Sequence, residues 1–186
     1  DAHGLDGARP VATLTLAVLR NRAPADTGDD RDTWASVGTL VNELAKPVLF
    51  MNVPCGGLSV SPGEPQYASL RLLARRPPEW NVAGRSILVC ENPNLVAVLA
   101  DRLGTACPPV VCVDGHLGAA QRTILRQLKA SGADLRYHGD YDWPGLSIAN
   151  NVIAKYGAVP WHFSTPDYIA ASEAAPQPGV ALDGRP

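Results

Sequence analysis

From Ser86 onward, short unbroken apolar runs alternate with segments whose apolar residues recur every three or four positions. The first run, Ile87-Leu88-Val89-Cys90, ends at Glu91, and Asn92 and Pro93 then supply an N-cap and a first helical residue. Leu95, Val98, Leu99 and Leu103 keep helical spacing until Gly104 stops the helix. The unit recurs. Val110-Val111-Cys112-Val113 ends at Asp114-Gly115, and residues 118–130 form a helix with Ile124, Leu125 and Leu128 inside and Gln121, Arg122, Arg126 and Lys129 outside. A third run, Leu135 to His138, leads to Asp140 and Asp142; Leu146, Ala149, Val152, Ile153 and Tyr156 line the helix that follows, and Gly157 closes it. Val159 to Phe163 makes a fourth strand. Apolar strands alternating with amphipathic helices predict an α/β fold: a parallel four-stranded sheet with helices on both faces.

Upstream the pattern is less regular. Residues 11–20 form an apolar segment too short to assign by period, and Asp26 to Asp32 reads as an acidic loop. Trp34, Val37, Val41 and Leu44 give a helical spacing from Thr33 to Leu44 that Pro47 cuts off, and Val48-Leu49-Phe50-Met51 is a short buried strand. The concentration of proline and glycine from 52 to 66 marks a loop, and the main boundary is placed there. Residues 1–65 are thus an N-terminal α/β segment and linker, residues 66–170 the main domain and 171–186 an irregular tail. Tyr67 to Ala74 reads as a short basic helix ended by Pro77-Pro78. Beyond Tyr168 the chain becomes Ala, Pro and Gly without a period, a mobile tail or a piece cut from its continuation.

A net charge of −2 over 186 residues argues against a chain that binds nucleic acid by bulk charge, so any DNA contact must be local or shared with a partner. The four cysteines, Cys55, Cys90, Cys107 and Cys112, form no Cys-x-x-Cys pair, which favours buried reduced thiols in a cytoplasmic protein over disulfides or zinc. No apolar run approaches the roughly 20 residues that span a bilayer, so no membrane partner is expected.

The chemistry gathers at the strand ends. In an open parallel sheet, ligands sit outside the carboxyl ends of the strands where strand order reverses. Glu91 ends the first strand, Asp114 the second, and Asp140 with Asp142 the third. In an extended backbone, residues two apart point the same way, so Asp140 and Asp142 face one cation together. A strand order of 2-1-3-4 sets Glu91 opposite that pair and makes three carboxylates converge. Like charges this close raise one another's pKa unless a cation neutralises them; Mg²⁺ fits best, because it keeps several waters and needs only one or two carboxylates. Two solvated aspartates in an ordinary strand-to-helix turn remain the plainer reading of Asp-x-Asp alone.

Glu91 and Asp140-x-Asp142 at these positions resemble the Toprim domain shared by topoisomerases, primases and several nucleases. Asp140-Tyr141-Asp142-Trp143-Pro144-Gly145 is similar to the version in the A subunit of topoisomerase VI, with the proline one place later. Cys90-Glu91-Asn92-Pro93 and His138-Gly139-Asp140-Tyr141-Asp142-Trp143-Pro144-Gly145-Leu146 resemble more closely the Toprim nuclease subunit of Wadjet-type bacterial plasmid-defence systems. The likeness is good from about Ser86 to Tyr168 and faint from Arg31 to Pro54. It implies a Mg²⁺-dependent DNA endonuclease, with Mn²⁺ as a substitute, that works with a condensin-like ATPase complex; a homodimer is left open. Asp140 and Asp142 would bind the metal, while Glu91 shares it or acts as general acid or base. The matching members are longer at both ends, so the chain reads as a carboxyl-terminal portion without an upstream DNA-contacting domain.

Other residues carry two readings each. Asp114 is a peripheral metal ligand or a turn aspartate before Gly115. His116 and His138 assist proton transfer or serve the structure. Arg71, Arg75, Arg76 and Arg85 contact the DNA backbone or form solvated surface, with Glu79 diluting the cluster. Trp143 stacks on a base or packs beside Pro144. Tyr137 and Tyr156 read as core residues, and with no tyrosine set as a nucleophile, water-dependent cleavage is expected. Two rivals stand beside the nuclease: a metal-dependent nucleotide phosphotransferase or glycosyltransferase, which lacks its Gly-rich loop after the first strand, and a non-catalytic assembly subunit with a vestigial acid cluster.

Overall fold

A computed structural model of the chain describes residues 10–22, 30, 33–34, 37, 39, 41 and 43–174. Its elements are α1 (Pro10–Arg22), β1 (Val48–Met51), β2 (Cys55–Gly56), β3 (Gln66–Ala68), α2 (Leu70–Arg75), β4 (Glu79–Trp80) and β5 (Ser86–Cys90). They continue as α3 (Pro93–Leu103), a 3₁₀ turn (Gly104–Ala106), β6 (Val110–Cys112), α4 (Ala119–Ala130), β7 (Asp134–His138), α5 (Trp143–Tyr156), β8 (Val159–Pro160) and α6 (Thr165–Ala174). Among the described residues no helix is long and apolar enough to cross a membrane.

The sheet has six strands in the order β3-β1-β6-β5-β7-β8. Its parallel part, β6-β5-β7-β8, has the 2-1-3-4 order on which the convergence of Glu91 with the aspartate pair depends. Two strands are added beyond the four expected: β1 lies antiparallel on β6, and β3 lies antiparallel on β1. Residues 48–51 are therefore built into the same sheet as β5–β8, although the loop from 52 to 66 separates them in sequence. Within that loop, β2 pairs with β4 as a two-stranded ribbon. Alternation along β5 divides the core. Ile87 and Val89 join the large cluster formed with Leu70 and Leu73 of α2, Ile124, Leu125 and Leu128 of α4, and Ile148 and Val152 of α5. Cys90 and Leu88 face the other side, where Val96 and Leu99 of α3 pack with Met51, Val110 and Cys112. The helices thus cover both faces, as the pattern predicts, because strands apolar on both sides must be shielded on both.

Several local expectations change. Tyr67 and Ala68 belong to β3, and the basic helix begins only at Leu70, where the Ser69 hydroxyl caps it by accepting from Leu72 N. Gln121, placed outside by its polarity, is buried and donates to the Pro47 carbonyl at 3.3 Å. The fourth strand stops at Pro160, which has no N–H with which to continue a ladder. Thr165–Ala174 is helical, across the point where the irregular tail was expected to begin, with Ser164 and Asp167 bonded to each other at its start. Residues 11–20 are helical, and Ala12 and Leu16 pack on Trp34 in a small separate cluster. Of the helix expected over 33–44, Thr33 and Trp34 are helical and Val37 lies in a turn; its remainder falls partly outside the described residues, as does the tail beyond 174.

One side chain ties the N-terminal strand to the parallel sheet's lower rim. Asn52, directly after β1, donates to the carbonyls of Gly104 and Cys107, both at 2.9 Å, and accepts from Gly63 N at 2.8 Å. Its φ of 55° is left-handed, a region asparagine tolerates better than most residues. Asn52→Ala removes all three bonds and adds backbone strain, so it should cost about 2–3 kcal/mol, read as a lower urea midpoint.

Candidate functional site

β5 and β7 are neighbours, with Val89 opposite Tyr137 and Cys90 opposite His138. The chain leaves β5 into α3 on one face and returns to β7 from α4 on the other, so the loops after the two strands diverge and open a crevice. Glu91 and Asp140 meet there: the Asp140 N–H lies 3.5 Å from Glu91 Oε2. A cavity of about 330 Å³ opens at this point, lined by Glu91, Asn92, Asn94, His138, Gly139 and Asp140 among others. Burial raises the Glu91 pKa first of all; the Asp140 N–H that it accepts pulls it down, the charges of Asp140 and Asp142 raise it again, and His116 opposes them last.

Two helices begin at this rim. Asn92 caps α3 by accepting from Asn94 N at 2.9 Å, and Asp142 caps α5 by accepting from Gly145 N at 2.7 Å. One carboxylate oxygen of Asp142 is therefore engaged in starting α5, a role that Asp-x-Asp spacing does not reveal. The Pro144-Gly145 pair also gains a physical reason. Proline suits the first turn of the helix, and a Cβ on Gly145 would run into the backbone carbonyl oxygen of Asp140. Gly145 lets α5 pack against the turn that carries Asp140.

His138 lines the cavity with its Nδ1 between two backbone carbonyls, Trp161 O at 3.2 Å and His162 O at 3.1 Å. Both neighbours are acceptors, so Nδ1 carries the hydrogen and Nε2 is left as the ring's acceptor. Its ring, with those of Tyr141, Phe163 and Tyr168, belongs to an aromatic cluster between β7 and α6; Tyr141 stacks on Phe163 at 4.8 Å. Tyr141, Phe163 and Tyr168 line a larger, mostly apolar cavity of about 470 Å³ with Leu146, Ser164 and Thr165. The ionisable groups lie in the smaller one, and the chemistry is assigned there.

The remaining sequence candidates disperse. Asp114 adopts a φ of 52° before Gly115 at 75°, a turn conformation, and its charge acts on Cys112 and is not among the main charges on Glu91. Arg71 and Arg75 both reach back to Glu43, at 2.5 and 3.0 Å, and hold its carboxyl below the ordinary range. Arg85 precedes β5 and so lies a whole strand, roughly 20 Å, from Glu91 at the opposite rim. Arg76 is exposed at the end of α2, and Trp143 is half-exposed at the start of α5. Cys90, buried beside Cys112, has its thiol pushed up and is no nucleophile.

The expected three carboxylates share one rim but do not form a ready cage: among the described residues, no group of three or more His, Cys, Asp or Glu side chains is disposed to hold a metal ion. Glu91 and Asp140 at one crevice, with Asp142 after them, offer the carboxylate oxygens that Mg²⁺ prefers and are the residues that would hold it. Glu91 bears a cost there. Its raised pKa means that the folded state holds its proton more tightly than the unfolded state, so stability is lost as pH rises through the folded pKa. Glu91→Gln should therefore raise the melting temperature at pH 7, with the gain vanishing toward pH 4. Gly145→Ala should cost about 1–3 kcal/mol by overpacking α5 against Asp140, measured by denaturant unfolding.

Comparison with known proteins places the chain without giving it an activity. Residues 1–55 match the family described as protein of unknown function N-terminus (DUF3323), and residues 66–186 match the family described as protein of unknown function C-terminus (DUF2399). No curated protein and no solved structure matches. The second match spans well over half of the chain and includes β5, β7 and both carboxylate loops, so this protein belongs to the DUF2399 family.

Proposed function

We propose that the crevice between β5 and β7 is the centre of a Mg²⁺-dependent DNA endonuclease of Toprim type, which cleaves plasmid DNA together with a condensin-like ATPase complex that selects it. The observation that carries this reading is the approach of Glu91 to Asp140 across the strand-order reversal. The resemblance around Cys90-Glu91-Asn92-Pro93 and His138 to Leu146 supplies the reaction class. Two helix N-termini at the same rim add positive potential where a phosphodiester would lie. The chain's net charge of −2 suits a nuclease that borrows its DNA affinity.

The side chains divide the work. Asp140, exposed at the crevice, anchors the cation with Asp142 beside it, and the Asp142 cap keeps α5 docked behind both. Glu91, half-buried with a raised pKa, exchanges a proton at the scissile phosphate nearer to neutrality than an ordinary carboxylate does. Mg²⁺, when bound, neutralises the phosphate and lowers the pKa of an attacking water. The phenols are poor nucleophiles: burial raises both Tyr137 and Tyr141, and the Tyr141 hydroxyl is bonded to His162 and Ser164 carbonyls at 3.2 Å. This favours hydrolysis over transesterification. A non-catalytic assembly subunit is the second reading, favoured by the helix-capping role of Asp142 and by the lack of a three-ligand group among the described residues.

Purified protein, Mg²⁺ or Mn²⁺, plasmid DNA and the partner complex give the test. Asp140→Ala and Glu91→Ala should each lower cleavage by about a hundredfold or more. Cleavage unchanged in both variants overturns the site, and no Mn²⁺ binding by calorimetry selects the assembly subunit.

A further inference from the structure

Tyr137 carries a polar atom that the fold does not use. Its side chain is fully buried, and its hydroxyl has no hydrogen-bond partner among the described residues. Buried tyrosines ordinarily find a partner for that group, because leaving it unpaired is costly and phenylalanine fills the same space without the cost. The location of the hydroxyl is what matters. Val89 is opposite Tyr137 and Cys90 opposite His138, so the same register carried one residue further sets Glu91 opposite Gly139. Side chains alternate along a strand, which puts Tyr137 and residue 139 on the face shared by Val89 and Glu91. The phenol leans along the strand over Gly139: a Cβ there would lie 2.6 Å from the hydroxyl oxygen. Gly139 thus leaves the room that the hydroxyl occupies, at the cross-strand position facing Glu91. The Glu91 carboxylate is itself loosely held, by one 3.5 Å contact to the Asp140 N–H, and its charge is the foremost one acting on the phenol.

We infer that the Tyr137 hydroxyl is a positioning donor for the Glu91 carboxylate, fixing which carboxylate oxygen faces the crevice. The consequence for cation affinity rests on the metal-dependent reading above; the pairing itself does not. Tyr137 touches neither cation nor phosphate and acts through Glu91, as the outer hydrogen-bond partners of metal ligands do, whose loss typically weakens binding by about 10- to 100-fold.

The test uses the full chain and four versions of it: wild type, Tyr137→Phe, Glu91→Gln and the double variant. Subtracting the spectrum of the Tyr137→Phe chain in each background isolates the ultraviolet band of Tyr137. A phenol that donates to a carboxylate absorbs at longer wavelength than one facing a neutral amide, so Glu91→Gln should move the band to shorter wavelength. Mn²⁺ titration by calorimetry should show about tenfold weaker binding in Tyr137→Phe, with the melting temperature close to that of the wild type. An unmoved band overturns the pairing whatever Mn²⁺ does. A Tyr137→Phe chain that fails to fold also overturns it, since the hydroxyl then has a structural partner instead. If the band moves but the wild type binds no Mn²⁺, the metal reading falls and the pairing stands.

Discussion

The pairing of β5 with β7 is the constraint on which the rest of the structure depends. Five consecutive register pairs, from Ser86 with Asp134 to Cys90 with His138, fix where both strands end. Because the strands are parallel, their ends fall at the same rim; because α3 and α4 pack on opposite faces, the loops after the two strands part there. Glu91 and Asp140 meet as a consequence of topology, one residue beyond the end of β5 and two beyond the end of β7. A one-residue slip of β7, the alternating strand of the pair, would turn Leu135 and Tyr137 outward and Arg136 inward, and would shift Asp140 away from Glu91 at the same time.

The rim is polar because the interior is not. Cys90, Val89 and Tyr137 are buried immediately behind it, and the low dielectric they create is what raises the Glu91 pKa. The same burial that stabilises the sheet thus sets the charge cost of the site. Gly139 and Gly145 complete the arrangement by absence: one leaves space for the Tyr137 phenol, the other for the Asp140 carbonyl. Side chains at either position would push the Asp140 turn away from Glu91.

The parts of the fold legible in the sequence are those where local pattern and tertiary demand coincide. The run from β5 to α5 was readable because strands buried on both faces must be continuously apolar, and because Asn92, Gly104 and Gly157 mark helix ends by their own chemistry. The 2-1-3-4 order is not encoded in that local pattern, since right-handed crossovers allow more than one order of such units. β2, β3 and β4 were not readable: two or three residues give no period, and their pairing is decided by partners distant in sequence. The same applies to the site. Glu91 and Asp140 could be located by strand ends alone, whereas the Asp142 cap, the capture of Arg71 and Arg75 by Glu43 and the unpaired hydroxyl of Tyr137 depend on side-chain geometry that no spacing encodes. Tyr137 looked like core and is core; its oxygen is the exception.

The insertion of β1 against β6 has a consequence for how the chain is made. Phe50 must wait for Val111, about 60 residues later, before its second edge is paired, a delay of roughly 3–12 seconds at ribosomal speed. Until then Val48-Leu49-Phe50-Met51, apolar and buried along its whole length, has only the three-residue β3 for a neighbour. The nascent protein therefore carries an exposed, sticky edge through that interval, and what shields the edge bears on yield as well as the stability of the finished sheet.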